Sequence, residues 1–399
     1  MLSSPEKTAG SGEAPFWPHV GPVLFLAVIF FLNFTSRTIL APLLPTIEKD
    51  LGVSHGQAGF FFFLISVGYF VALLGSGFFS PRLTHRSAIV VSCGSIGLAL
   101  LSISVIQSLW GVRMGMLALG LAAGIYIPSA IAAITSLIDS RHWGKAIAIH
   151  ELAPNVSFVA APLLAELFLE WFSWRIGLGF LGGAALIAAM AFARYGRGGE
   201  FPGESLGAGA VIALIRDPSF WLLAFLFALG VASTLGVFAM LPLYLVTERG
   251  MDRSWANTLI ALSRVAGPFT GFAAGWFSDR LGPKPTMSGA LLLTGITTLL
   301  LGPAPGSWVI VFVLLQPALS VCFFPAGFAA LSAIGPASSR NVAVSLTIPL
   351  GFLLGAGATP TFIGVTGDAG SFALGFTVVG GFILAGAALA PCLKFRPQP

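Results

Sequence analysis

The chain of 399 residues is 56% hydrophobic and only 9% charged, and its mean hydropathy is +0.93. Soluble domains carry about 25% charged residues, so this composition excludes a soluble globular protein and indicates a polytopic membrane protein. The net charge of +5 does not indicate nucleic-acid binding, because the basic residues lie singly at loop positions instead of in clusters.

The apolar residues form runs long enough to cross a bilayer, for which a helix needs about 20 residues. Twelve such runs lie at approximately 21–46, 56–79, 88–107, 112–137, 145–169, 174–193, 219–246, 254–277, 286–304, 307–334, 341–365 and 371–392. The longest polar stretch, Arg194–Pro218, separates the sixth run from the seventh. The pattern predicts an all-α membrane protein of twelve transmembrane helices in two six-helix halves.

These runs divide the chain into five parts. We predict a disordered N-terminal tail without a signal-peptide pattern, two bundles joined by a linker, and a short C-terminal tail. In order, the five parts are 1–15, 16–194, 195–218 (the linker), 219–393 and 394–399.

The loop charges predict the orientation of the chain. With both termini in the cytoplasm, 13 of the 20 Lys and Arg residues lie in cytoplasmic segments and five lie outside, as the positive-inside rule requires. The other two, Arg37 and Arg264, lie within apolar runs. We therefore expect a multi-pass protein of the bacterial inner membrane with a cytoplasmic linker.

The first run contains a permanent charge, Arg37, because a guanidinium group stays protonated in proteins. Such a charge costs about 2.5–3.5 kcal/mol on insertion scales, so we expect the side chain to face a cavity or a partner. Asn33 lies one helical turn earlier on the same face. An unpaired arginine is a suitable receptor for a carboxylate or phosphate. The alternative is a structural ion pair with Glu151.

The fourth and fifth runs carry further polar candidates. His150 and Glu151 begin the fifth run, and either could take up and release a proton. Asn155 shares the face of Glu151, and Tyr126 lies in the middle of the fourth run. We assign His150, Asn155 and Tyr126 to substrate binding, and His150 and Glu151 to proton coupling. The alternatives are that His150 and Tyr126 are packed, hydrogen-bonded residues without a role in transport, and that Glu151 forms a purely structural salt bridge.

The eighth run contains the second arginine, Arg264, with Asn257 two turns earlier on the same face. Arg37 and Arg264 come from opposite halves, so an anion between them would draw the halves together. Two buried arginines against one or two buried acids leave a cavity net positive, which favours anions. We therefore add Arg37, Arg264, Asn33 and Asn257 to the predicted substrate-binding residues.

The turn after the eighth run reads G-W-F-S-D-R-L-G-P-K, from Gly275 to Lys284. This resembles the G-x-x-x-D-R-x-G-x-K/R loop of the major facilitator superfamily, which joins the second and third helices of a half. The resemblance implies a gating role for Asp279 and Arg280.

The first half repeats this spacing 198 residues earlier, since Gly77 precedes Gly275 by that number. There Pro81 replaces the acid and Thr84 replaces the second glycine. A repeat of this kind is expected of the two halves of the superfamily. The loss of the acid at Pro81 predicts a weaker closure on that side.

Three further stretches resemble motifs of the same superfamily. The segment 113–130 is similar to the fourth-helix motif, 139–145 to the loop into the fifth helix, and the pair at 174–175 to the start of the sixth. On this resemblance we also assign Arg113 to gating. The resemblance covers nearly the whole chain, so the chain is identified as a member of the superfamily.

Individual residues resemble particular branches of the superfamily. Arg37 is similar to the first-helix arginine of the organic-anion branch, although Ser36 replaces the acid of its D-R pair. Arg264 resembles the eighth-helix arginine of the monocarboxylate transporters. His150 resembles the fifth-helix histidine of the glycerol-3-phosphate transporter group. The glycine-rich fifth-helix motif of drug antiporters is matched only at Pro162, which disfavours drug efflux.

The resemblance implies a secondary transporter that moves a small organic anion, a carboxylate, with a proton by alternating access. The alternatives are a drug or lipid exporter of the superfamily, a phosphate-ester antiporter, a membrane-embedded enzyme and a non-transporting receptor. We expect no enzyme activity, cofactor or metal site, because the three cysteines show no metal spacing and no nucleotide-binding motif appears. The expected partners are the anion, a proton and the lipid bilayer, and we expect a monomer that binds no nucleic acid.

Overall fold

The computed structural model describes residues 16–79, 82–203, 208–334 and 340–395. Within these ranges twelve long helices form two bundles of six, as predicted. In chain order they are α1 Trp17–Leu51, α2 His55–Phe79, α3 His85–Val105, α4 Leu109–Leu137, α5 Trp143–Trp171, α6 Trp174–Tyr195, α7 Pro218–Thr247, α8 Arg253–Ser263 with Gly267–Leu281, α9 Pro283–Leu301, α10 Trp308–Ala333, α11 Arg340–Gly351 continued by the π-helical Phe352–Ala358 and by Thr359–Asp368, and α12 Phe372–Leu389. Among the described residues, ten helices are long and apolar enough to cross a membrane. The predicted tail 1–15 and Pro81 lie outside the described residues.

The helices alternate in direction, so their loops gather at two ends of the molecule. We call one the linker end, where α6 ends at Tyr195 and α7 begins at Pro218. The other is the latch end, where α1 ends at Leu51, α2 begins at His55 and α11 ends at Asp368. These names fix positions without reference to the two sides of a membrane.

Exposed tryptophans lie at both ends of the molecule. Eight of the nine tryptophans are at least 40% exposed, and only Trp174 is buried. The linker end carries Trp17, Trp143, Trp221 and Trp276, and the latch end carries Trp110, Trp171, Trp255 and Trp308. Tryptophan is enriched at the two membrane–water interfaces, so these two sets of tryptophans mark the limits of the membrane-embedded part of this multi-pass protein.

Four helices are broken at positions that proline determines. Proline cannot donate to the carbonyl four residues earlier and clashes with it. The breaks are Ile39 in α1, Ile125 in α4, Arg264–Ala266 in α8 and Val321–Cys322 in α10, and Pro42, Pro128, Pro268 and Pro325 follow them three or four residues later. Arg37, Tyr126 and Arg264 therefore lie beside or within an unwound turn, where backbone carbonyls accept side-chain hydrogen bonds.

Part of the linker is bound to the first half. Thr84 and Pro202 form an isolated β-bridge, and the first amides of α3 donate to linker carbonyls, His85 to Phe201 at 3.1 Å and Arg86 to Gly199 at 2.9 Å. The linker carboxylate of Glu200 also pairs with the Arg86 guanidinium at 3.1 Å. The linker thus supplies an acid to a loop that lacks one at Pro81.

Candidate functional site

Arg37 lies between the two halves, just before the break in α1. Its guanidinium carbon is 4.8 Å from the ring centroid of Tyr69, 5.2 Å from that of Phe34 and 5.9 Å from that of Phe352 in α11. Nη2 donates to Asn33 Oδ1 at 3.4 Å, and Nε has no hydrogen-bond partner among the described residues. The charge is therefore surrounded by rings and one amide.

Asn33 connects Arg37 to the break in α4. Its amide nitrogen donates to the carbonyl of Ala123 at 3.1 Å, and Ser92 donates to the neighbouring carbonyl of Ala122 at 2.6 Å. Asn33 is therefore bound beside the break in α4, and its side-chain oxygen in turn accepts from the arginine.

Arg264 lies at the break in α8 of the second half and is 6% exposed. Its Nη2 donates to the carbonyl of Thr234 at 2.9 Å, in a π-helical turn of α7 at Ala232–Gly236. The guanidinium carbon is 4.3 Å from the ring centroid of Phe158 in α5 and 4.8 Å from that of Phe238 in α7. In the described part of the chain, Nε and Nη1 have no hydrogen-bond partner.

The rings around the two arginines form a continuous layer between the halves, which we call the ring layer. Its members are Phe34, Tyr69 and Phe158 of the first half and Phe238 and Phe352 of the second. Phe158 is 5.2 Å from Phe34 and 5.1 Å from Phe238, and Tyr69 is stacked on Phe352 at 4.9 Å. A cavity of about 40 Å³ lies against this layer and is lined by the Arg37 side chain. The structure thus brings the two predicted arginines to one shared layer.

Neither arginine has an acidic partner among the described residues. The ion pairs of these residues are Glu48–His55, Asp50–Arg175, Arg86–Glu200, Asp139–Arg141, His150–Glu151 and Glu166–Arg253. The alternative pairing of Arg37 with Glu151 is wrong for this structure, because Glu151 contacts His150. Within the described residues, no carboxylate therefore neutralises either guanidinium.

His150 is fully buried, with its ring stacked on Phe30 at 4.5 Å. Its Nε2 lies 3.1 Å from the hydroxyl of Tyr126, which donates to the carbonyl of Leu26 at 2.6 Å. A phenol has one proton, and this one is used by Leu26. The hydrogen-bond network therefore assigns a proton to Nε2 of His150, which donates it to the Tyr126 oxygen.

The other ring nitrogen of His150 faces Glu151, with 3.3 Å between Nδ1 and Oε1. Since Nε2 carries a proton, a neutral His150 has a bare lone pair on Nδ1, which cannot bond to a carboxylate. The contact is favourable when the two groups share one proton, which is held either by the imidazolium or by the carboxylic acid. The Glu151 side chain is 50% exposed and that of His150 is not exposed at all, so the pair connects solvent to a buried ring.

The two halves are hydrogen-bonded to each other at the latch end. Asp368 at the end of α11 caps the start of α2, accepting from Ser54 Oγ at 2.7 Å and from the amides of His55 and Gly56 at 2.8 and 3.0 Å. A carboxylate is favoured there because a helix N-terminus carries partial positive charge and unpaired amides. Gly364 makes this crossing possible, because a methyl group on it would overlap the His55 carbonyl.

A second inter-half contact joins α5 to α8. Glu166 pairs with Arg253 at 3.0 Å and accepts from Asn257 Nδ2 at 2.6 Å. Asn257, predicted to bind substrate, therefore lies in a contact that closes the latch end. We call the contacts of Asp368 and Glu166 the latch.

The remaining predicted site residues lie away from the ring layer. The Asn155 amide donates to the carbonyl of Glu151 at 3.0 Å, within its own helix. Arg113 lies over Trp110 at the latch end, at 5.2 Å. Asp279 is exposed at the linker end, and Arg280 lies over Trp276 at 4.4 Å.

The motif that leads into α5 has a defined local structure. Asp139 caps the turn Ser140–His142 and accepts from the Arg141 guanidinium at 3.1 and 3.2 Å. These hydrogen bonds lower the pKa of Asp139 to about 2. The carboxylate therefore stays charged at physiological pH.

The chain has relatives among characterised transport proteins. It matches the family model of the Major Facilitator Superfamily over residues 26–275 and again over 254–399. It is 25% identical over 285 residues to a chloramphenicol resistance protein of Streptomyces lividans, covering 69% of this chain and 71% of that protein. It is also 25% identical over 295 residues to a hexuronate transporter of Bacillus subtilis, covering 67% of this chain and 66% of that protein.

A solved structure has the same fold. A bacterial homologue of the human lysosomal transporter Spinster, in an inward-facing and unoccupied conformation, superposes with a TM-score of 0.80. The alignment covers 97% of this chain and 100% of that one at 16% identity.

Proposed function

Since the chain belongs to the Major Facilitator Superfamily and is a secondary transporter, we propose that it moves a small organic anion, a carboxylate, together with a proton. The observation that carries this proposal is the pair of unneutralised arginines, one from each half, at the ring layer. A guanidinium binds a carboxylate with two parallel hydrogen bonds, and Arg37 and Arg264 both have free N–H groups for this.

The position of the arginines supports a transport cycle. An anion between Arg37 and Arg264 interacts with both halves at once, so its binding favours their approach. The latch holds the halves together at one end, and a bound anion would stabilise closure at the other. Alternating access then follows when the latch contacts break as contacts at the linker end form, and the reverse.

His150 and Glu151 are the proposed proton site. The 3.3 Å contact between His150 Nδ1 and the Glu151 carboxylate supports this proposal, because it is favourable when the two groups share one proton. The Glu151 side chain is half exposed, which leaves a path for that proton. His150 is in contact with Phe30 and with the Tyr126 hydroxyl, and Arg37 lies over the ring of Tyr69 in the ring layer. Departure of the proton leaves a carboxylate beside the cationic ring layer and so changes its affinity for an anion.

We also propose that the linker end faces the cytoplasm of a bacterium and that the latch faces outward. The excess of Lys and Arg in the linker-end segments supports this orientation. In that orientation the latch closes the outer side.

Drug export is the second candidate, supported by the rings at the site and by the chloramphenicol resistance relative. Ligand-induced thermal stabilisation of the purified protein separates the two candidates, because a ligand bound to the native state raises the melting temperature. The panel contains small carboxylates, phosphate esters and lipophilic cations.

We expect carboxylates to stabilise the wild type but not Arg37→Ala or Arg264→Ala. The matched control is Arg194→Ala, which removes an exposed arginine at the end of α6 and should respond like the wild type. Stabilisation by lipophilic cations alone, equal in all four proteins, would refute anion binding and favour drug export.

A further inference from the structure

Resting on the proposed function, we propose that the cargo is a carboxylate on a flat, apolar body, such as an aromatic acid, which inserts between Tyr69 and Phe352. These rings come from opposite halves and are stacked with centroids 4.9 Å apart and an interplanar angle of 28°. The two rings must therefore separate when a cargo enters between them.

The charge beside this stack fixes the orientation of the cargo. The Arg37 guanidinium carbon lies 4.8 Å from the Tyr69 centroid and 5.9 Å from that of Phe352, so it stands at the edge of the stack. A ring placed between Tyr69 and Phe352 directs its carboxylate to Arg37. Offset stacking on both faces is a favourable arrangement for an aromatic body.

The lining of the adjoining cavity is apolar except at a few points. Five aromatic rings line it, Phe34, Phe62, Tyr69, Phe238 and Phe352, together with four aliphatic side chains. The polar lining consists of Arg37, Ser66, the Tyr69 hydroxyl and Thr38, whose hydroxyl is already donated to the Phe34 carbonyl at 3.0 Å.

This lining disfavours a polyhydroxylated acid. Each hydroxyl of a sugar acid loses hydrogen bonds to water on entry and needs a replacement in the site. The hydroxyls of Ser66 and Tyr69 are too few for the hydroxyl groups of a hexuronate, whereas an aromatic body needs none. The cavity of about 40 Å³ holds only a few water molecules, so the halves separate at the ring layer when the cargo enters.

The experiment measures dissociation constants of benzoate, cyclohexanecarboxylate, acetate and glucuronate for the purified full chain by isothermal titration calorimetry. We expect benzoate to bind at least tenfold tighter than glucuronate and acetate. Phe352→Leu removes one face of the stack, so it should weaken benzoate at least fivefold and leave acetate unchanged. Phe269→Leu, at a lipid-facing ring that is 74% exposed, is the matched control and should bind like the wild type.

The outcomes separate this inference from the function on which it rests. Glucuronate binding as tightly as benzoate, lost in Arg37→Ala, would overturn the aromatic cargo while the anion transporter stands. Binding of no carboxylate would overturn both. If Phe352→Leu does not fold, Phe62→Leu on the other wall of the cavity replaces it, and unchanged benzoate affinity in that variant would contradict the inference.

Discussion

At the scale of single residues, the site consists of polar side chains held by backbone carbonyls that lie beside or within irregular turns of the helices. Arg264 bonds to Thr234 in a π-helical turn, and Asn33 bonds to Ala123 beside the break in α4. Both arginines could be predicted from the sequence, because a permanent charge within an apolar run is rare. Their ring partners could not, because the chain has 35 phenylalanines and nothing local distinguishes Phe158 from a ring that faces lipid.

Tyr126 provides the first test at this scale, as a positioning residue for His150. Tyr126→Phe removes the acceptor of the Nε2 proton and the donor to Leu26, so we expect a loss of stability of about 1–2 kcal/mol. Because the proton is then free to move to Nδ1, we also expect the pH profile of transport to change.

The control for this variant is Tyr244→Phe. The Tyr244 hydroxyl lies 2.9 Å from the backbone carbonyls of Leu301 and Gly302 and donates its one proton there, but it lies in the second half. It should lose similar stability and keep the wild-type pH profile of transport in proteoliposomes. Identical pH profiles in all three proteins would show that Tyr126 has only a structural role.

At the scale of elements, proline and glycine determine where helices break and where they cross. The prolines were visible in the sequence, and each break follows from the missing amide at Pro42, Pro128, Pro268 or Pro325. The crossing of α2 and α11 was not predictable, because a glycine that permits close packing looks the same in sequence as a lipid-facing one. Gly364 and Gly381 illustrate this, since only the first is in close contact.

Gly364→Ala tests the crossing directly. Its added methyl group would overlap the carbonyl of His55, so we expect a loss of about 1–3 kcal/mol from overpacking, measured as a lower melting temperature in detergent. Gly381→Ala in α12 meets no atom within 4 Å and should be neutral or slightly stabilising, because alanine favours the helix. Equal melting temperatures for the two variants would contradict the described packing.

At the scale of the whole molecule, the two halves are joined by the latch at one end and by the ring layer in the middle. The twelve helices and their two halves could be predicted, because they follow from apolar run length and an internal repeat. The end at which the halves close could not, because it depends on contacts between residues such as Ser54 and Asp368, which lie 314 positions apart. Asp368 is accordingly absent from the predicted site residues, and Asn257, predicted to bind substrate, lies in the latch.

Asp368→Asn should weaken the latch. Loss of the charge at the start of α2 costs about 1 kcal/mol, which corresponds to a shift of about fivefold toward the state open at the latch end. Spin labels at Phe172 and Ala369, exposed on opposite halves at this end, would show a larger population of molecules with a long distance between the labels. They are placed in a background in which Cys93, Cys322 and Cys392 are replaced by serine.

Asp50→Asn is the control for the latch. Asp50 also lies at the latch end, but it bonds to Trp174 and Arg175 within the first half. In Asp50→Asn, the distribution of distances between the two labels should match that of the background protein. An unchanged distribution in Asp368→Asn would show that the latch does not hold this end closed.

The central claim, coupled transport of a carboxylate and a proton, is tested most directly by the protein-dependent uptake of radiolabelled benzoate into proteoliposomes with and without an imposed pH gradient, after subtraction of the passive entry of benzoic acid into protein-free liposomes. We predict uptake that an inward proton gradient accelerates in the wild type, that Arg37→Ala abolishes, and that proceeds in Glu151→Gln without response to the gradient. Uptake independent of Arg37, or equal with and without the gradient in the wild type, would contradict the account.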